Sequence, residues 1–241
     1  MATTGATGMG KATSAMTGNL RDEVLAVHAR LGEAYGIPTW TEDTASDPVG
    51  ELVNTILSQN TNDRNRDIAY GRLRQRFPTW EATRDAPVEE IIEAVRPAGL
   101  APTKGPRVQA ALRAITEHQG EISLEFLREK SLEDARRWLL DLDGVGPKTA
   151  AIVLLFALGR PAFPVDTHVH RVSKRLGLIP ASTSREKAHV LLEDLVPEAL
   201  FHPFHLNVIR HGRQVCTARK PRCESCVLCD ICDSCTVTNQ E

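Results

Sequence analysis

The chain has no cysteine before residue 216, so no disulfide or cysteine-held metal can brace most of its 241 residues. It also lacks any run approaching the ~20 apolar residues that span a bilayer. The longest such run, from Ala150 to Leu158, is too short and reads as a buried core helix. Residues 1–18, rich in Gly, Ala, Thr and Ser, have neither the basic-then-apolar pattern nor the cleavage-like end of a secretion signal. They bury too little to order themselves and are expected to form a disordered tail. Charge of one sign is missing too: the net charge is −2, so a polyanionic partner would need positive charge gathered on one face. Sustained period-2 alternation and internal repeats are absent as well, which argues against sheet and solenoid architectures.

What remains is an ordinary globular composition, 41% hydrophobic and 25% charged, long enough for one large domain or two small ones. A cytoplasmic protein with no membrane association is expected. All six cysteines lie between Cys216 and Cys235, and in a reducing compartment such a cluster binds metal more often than it forms disulfides.

Helical spacing runs through the chain and predicts an all-α fold of roughly nine or ten helices. Asp47-Pro48 supplies an N-cap and a first-turn proline ahead of Val49, Leu52, Val53, Ile56 and Leu57. Ser131 and Asp134 resemble a capping box with Asp in place of Glu. Val108, Leu112 and Ile115 mark another amphipathic stretch, and Val190, Leu191 and Leu195 a further one. Prolines from Pro78 to Pro197 punctuate the helices.

The octapeptide from Leu142 to Thr149, LDGVGPKT, carries the most chemistry. Gly144 and Gly146 flank one apolar residue and permit a tight turn with unusual φ angles, after which Pro147 opens a helix. Free amides at that helix start can hold a phosphate, although a plain helix–helix turn fits the same residues. Lys148 lies in the first helical turn, against the positive end of the dipole. That siting favours a neutral amine able to act as a nucleophile; a lysine that merely contacts phosphate is the other reading. Eighteen residues on, Asp166 follows an extended Phe163-Pro164-Val165 segment and suits the N-cap of a helix running to Leu176. It can be only a cap, or a carboxylate that works beside an amine on a developing sugar cation.

Cys216, Cys223, Cys226 and Cys232 are spaced C-x6-C-x2-C-x5-C. Spacing alone suits a four-cysteine zinc site or an iron–sulfur cluster. Cys229 and Cys235 are additional, and a set built on Cys223, Cys226 and Cys229 with a distant fourth thiol is also possible. Five basic residues and no acidic one lie from Arg210 to Arg222, among them Arg219, Lys220 and Arg222. They would contact phosphates, or form a solvated loop.

The stretch LDGVGPKTAAIVLLFALGRPAFPVDTHVHRV resembles the helix–hairpin–helix DNA glycosylase superfamily, specifically its endonuclease III branch, over about residues 20–235. The resemblance implies two helical domains flanking a DNA-binding cleft. One is a six-helix barrel with the hairpin, about residues 41–160; the other joins residues 19–40 to 161–241 and carries a [4Fe-4S] cluster on Cys216, Cys223, Cys226 and Cys232. It implies Lys148 and Asp166 as the catalytic pair of a bifunctional glycosylase and AP lyase acting on oxidised pyrimidines. The partner is double-stranded DNA containing a damaged base or abasic site, bound by a monomer that is nucleoid-associated when on DNA. Duplex contacts are implied for Gly144, Gly146 and His168, and for two segments that fill the space left by a flipped base. Of these, Asn60 stands where the family usually has glutamine, with Gln59 beside it. Leu100 keeps the family's Gly-Leu, but Ala101-Pro102-Thr103 departs from what usually follows. The rival expectations are a mismatch-specific glycosylase on the same fold and a non-catalytic DNA-binding module with a zinc-stabilised tail.

Overall fold

The computed structural model describes residues 9–42 and 45–236, with side chains from residue 19 onward. Among the described residues there are eleven α-helices and no strand, so the fold is all-α. The count exceeds nine or ten because two helices, Trp80–Asp85 and Pro147–Ile152, are only six residues long. The chain divides into two compact units, one of residues 40–164 and one combining the segments before and after it.

The continuous unit begins with α2 (Pro48–Ser58), capped by Asp47, whose carboxylate accepts from Val49 N at 3.2 Å and Gly50 N at 2.9 Å. The same carboxylate accepts from Trp80 Nε1 at 3.0 Å, so the cap also ties down α4 (Trp80–Asp85). Val49, Leu52, Val53, Ile56 and Leu57 are all buried, as their spacing requires. They pack in one core with α3 (Asp63–Arg76), α5 (Val88–Val95) and α6 (Ala101–Gln119). Val108, Leu112 and Ile115 of α6 are fully buried there. In α7 (Leu132–Leu140) Ser131 Oγ accepts from Asp134 N at 3.0 Å. Asp134, one methylene shorter than Glu, bonds the Ser131 hydroxyl at 2.6 Å instead of completing the box on the Ser131 amide. The apolar run is indeed buried: α8 (Pro147–Ile152) continues as a π-helical turn through Ala157. It ends at Gly159, whose φ of 62° and contact with the Trp40 ring leave no room for a side chain.

The second unit contains α1 (Met9–Tyr35), α9 (Thr167–Arg175), α10 (Arg185–Leu195) and α11 (Phe201–Gln214). Of the tail expected over residues 1–18, residues 1–8 lie outside the described residues, and from Met9 the backbone is helical. Once Val24, Val27 and Leu31 fix the later turns, adding helical residues such as Ala15 and Met16 costs little. A second correction concerns α10. Val190 is 72% exposed and Leu191 43% exposed, and the buried face is Ala188, Leu192 and Leu195. The period was right but the stripe was rotated, because apolar residues on both sides of α10 made its inner face ambiguous.

Candidate nucleic-acid site

In the continuous unit the hairpin uses its two glycines differently. Gly144 has φ 77°, a left-handed backbone that favours glycine, and a Cβ there would also have to displace the flexible Arg107 side chain, whose Cδ would lie at 2.5 Å. Gly146 has φ −102° and ψ −179°, an extended conformation open to any residue, and nothing lies within 4 Å of where a Cβ would stand. The expectation of unusual φ at both glycines therefore holds only for Gly144; Gly146 instead leaves open space in front of the helix start. No side chain caps that start. Lys148 sits half-buried in the first turn of α8.

Two segments of the same unit carry strained residues. Asn60 (φ 52°) and Leu100 (φ 50°) are the two non-glycine residues with positive φ among the described residues. Such backbone costs about 1–3 kcal/mol per residue and tends to collect at functional sites. Both side chains are exposed, Leu100 by 57%. Gln59 behaves otherwise: its Nε2 donates to Gly144 O at 2.8 Å, which commits the side chain to bracing the hairpin.

In the other unit Asp166 caps α9, accepting through Oδ1 from His168 N at 2.9 Å and Val169 N at 2.7 Å. One oxygen serves both amides, which leaves the second oxygen out of the cap. His168 Nδ1 lies 3.1 Å from an Arg171 guanidinium nitrogen. Burial first, then the Arg171 and Arg213 cations, hold its pKa below the usual histidine range against the opposing pull of Asp166. The lowering favours the uncharged imidazole of His168 as a hydrogen-bonding group.

Four cysteines, Cys216, Cys223, Cys226 and Cys232, are free thiols lining one cavity. Cys229 and Cys235, the two additional cysteines, lie 5.3 Å apart at Cα and form a disulfide, whereas metal binding was the commoner expectation for such a cluster. With Cys229 paired, the set built on Cys223, Cys226 and Cys229 loses a ligand. Burial, and next in line the neighbouring thiols, push Cys226 and Cys232 above the usual thiol range, although a backbone amide opposes each. Among the described residues no three His, Cys, Asp or Glu groups are gathered as the ligands of one metal ion. Two arginines of α9, unmarked by sequence reasoning, pin the loop. Arg171 Nε donates to Cys216 O at 3.0 Å, while Arg175 donates to Cys216 Sγ at 3.3 Å and to Thr217 O at 2.8 Å. Their i, i+4 spacing on one helix face was the available signal. Arg219, Lys220 and Arg222 are exposed on the loop, whereas Arg210 stacks on Tyr35 and donates to its carbonyl.

Residues 53–198 match the model of the HhH-GPD superfamily of base excision DNA repair proteins. The chain belongs to that superfamily, in its endonuclease III branch. An Arabidopsis thaliana protein named as a candidate DNA glycosylase is 36% identical over 169 residues, which are 70% of this chain and 58% of that one. The match therefore spans little more than half of the plant protein. Endonuclease III of Thermotoga maritima is 35% identical over 183 residues, 76% of this chain and 81% of the relative. A trapped endonuclease III–DNA covalent intermediate has a similar fold, with TM-score 0.74 and 28% identity over 89% of this chain and 96% of that one. Within this endonuclease III-like member of the base excision repair glycosylases, the matched span contains the hairpin, Lys148, Asp166, Asn60 and Leu100, and stops short of the cysteine loop.

Proposed function

We propose that the chain is a bifunctional DNA glycosylase and AP lyase that removes oxidised pyrimidines from double-stranded DNA and cleaves the abasic strand. The observation that carries this reading is Lys148 in the uncapped first turn behind an open hairpin. The covalent DNA intermediate trapped on the endonuclease III relative supports a nucleophilic route. Lys148 Nζ attacks C1′ as the glycosidic bond breaks and the base departs with the bonding pair. The Asp166 carboxylate, with an oxygen outside the cap, stabilises the positive charge that develops on the sugar. Loss of a proton from the amine and opening of the ring leave an iminium at C1′. Removal of a C2′ proton then expels the 3′ phosphate, and water releases the enzyme. Asn60 and Leu100 enter the stack to hold the vacated space, which lowers the cost of extruding the base.

The cysteine loop fits a [4Fe-4S] cluster on Cys216, Cys223, Cys226 and Cys232. Cys216, Cys223, Cys226 and Cys232 are free thiols lining one cavity, and the two surplus cysteines are already paired. Those four thiolates would hold the cluster, which would cross-link the loop that carries Arg219, Lys220 and Arg222.

The deciding experiment is borohydride trapping across duplexes that each hold one lesion. Covalent protein–DNA product on thymine glycol and abasic duplexes, with little on G·T or G·A mismatches, is the expected outcome. Base release without trapping would make the chain a monofunctional glycosylase, and preference for the mismatches would make it a mismatch enzyme.

A further inference from the structure

Lys104 is the one lysine or arginine among the described residues that is fully buried, at 1% exposure. Its ammonium donates to two backbone carbonyls, Leu57 O and Ala98 O, each at 2.8 Å. Both are carbonyls at helix ends, where chain geometry leaves acceptors unused: Leu57 in the last turn of α2, Ala98 at the close of the short 3₁₀ turn Arg96–Ala98. A cation suits that end of a helix. Burial pushes the Lys104 pKa down, and the two carbonyl bonds offset the cost of holding an ammonium there.

What the two carbonyls precede explains the choice. Asn60 follows Leu57 by three residues and Leu100 follows Ala98 by two, and these are the two strained, exposed non-glycine residues. Lys104 also grips Leu100 from the other side, since its backbone N–H donates to Leu100 O at 2.9 Å. One side chain thus joins two loops that are forty residues apart in the chain.

We propose that Lys104 is a positioning residue for duplex opening, holding the Asn60 and Leu100 loops on one buried ammonium so that both side chains enter the duplex together. This rests on the reading of Asn60 and Leu100 as duplex-opening residues given above. Lys104 touches no DNA in this scheme; it acts only through the two loops.

The test uses the full chain with Lys104→Met, which keeps length and burial but removes the donors. Opening is read from the fluorescence of 2-aminopurine beside thymine glycol, and single-turnover excision is compared between the paired duplex and the same lesion in a single strand. Opening and duplex excision are expected to slow by about tenfold or more, with single-strand excision within about twofold of wild type. Equal losses on both substrates would make Lys104 a purely structural residue and overturn the proposal. A second measurement leaves Lys104 in place and so does not depend on whether that variant folds. If the loops act as one unit, Asn60→Ala with Leu100→Ala slows opening little more than the worse single change; fully multiplied effects overturn the proposal. Wild-type protein that opens the duplex without excising would defeat the catalytic reading and leave this one standing. Wild-type protein that does not open it would defeat both. Equally fast opening by wild type and Lys104→Met would defeat this proposal alone.

Discussion

Gln59 and Gly144 lie 85 residues apart, yet the glutamine amide donates to the glycine carbonyl at 2.8 Å and ties the end of α2 to the hairpin. The segment that holds Asn60 and the turn that leads to Lys148 are thereby set in one frame. Gln59→Ala is expected to cost about 1 kcal/mol of stability by leaving that carbonyl unpaired. It should also weaken DNA binding alike for intact and lesion-bearing duplexes. Asn60→Ala should cost only about 1 kcal/mol, because asparagine tolerates the left-handed backbone better than alanine, leave intact-duplex affinity nearly unchanged and slow only excision from paired DNA. Denaturant melts and single-turnover rates check both; a Gln59→Ala protein with wild-type stability would show that the brace carries no weight.

The two hairpin glycines predict opposite outcomes for the same substitution. Gly144→Ala meets a left-handed backbone and the Arg107 side chain, and should destabilise the protein by about 1–3 kcal/mol. Gly146→Ala fits its extended backbone and open surroundings, so stability should fall by less than about 1 kcal/mol. If that open space admits a phosphate, Gly146→Ala should nonetheless lower DNA affinity markedly. Thermal melts beside binding isotherms decide this, and unchanged affinity for Gly146→Ala would place the phosphate elsewhere.

Lys148→Gln is expected to abolish borohydride trapping and strand cleavage while DNA affinity and fold stay close to wild type. Asp166→Asn should keep the α9 cap, because asparagine accepts the His168 and Val169 amides as well as aspartate does. It should lose base removal yet still trap on pre-formed abasic DNA, which separates nucleophile from electrostatic helper. Normal trapping by Lys148→Gln would assign the reaction to another amine.

Purified protein is expected to be yellow-brown and to contain iron. Replacing Cys216, Cys223, Cys226 or Cys232 singly by Ser should remove the colour and the iron, whereas Cys229→Ser with Cys235→Ser should retain both, since these two are paired with each other. Metal analysis of anaerobically prepared protein is the check. Stoichiometric zinc without iron would replace the cluster with a zinc site.

The exposed cations of the cysteine loop should set part of the salt dependence of DNA binding. Removing Arg219, Lys220 and Arg222 together should weaken binding similarly on all sequences and reduce the salt slope by roughly one unit for each phosphate no longer neutralised. Arg210→Ala should not change the slope, because its guanidinium stacks on Tyr35. An unchanged slope in the triple variant would mean that the loop faces solvent.

The all-α fold, the α2 stripe, the Asp47, Ser131 and Asp166 caps and the Gly144 turn were legible in the sequence, because each depends on residues within a few positions of one another. The chain's own geometry determines which amide a cap reaches and which side chains share a helix face. The same locality made LDGVGPKT and the VDTH segment readable as candidate chemistry. Two features had no such signature: the bond from Gln59 to Gly144 and the grip of Lys104 on two carbonyls. Each is one of several partners that the side chain could have reached in an unfolded chain, and only core packing brings the chosen one within hydrogen-bonding distance. For α10 the reason is the same: with apolar residues on both faces, which face turns inward depends on the helices packed against it and not on its period.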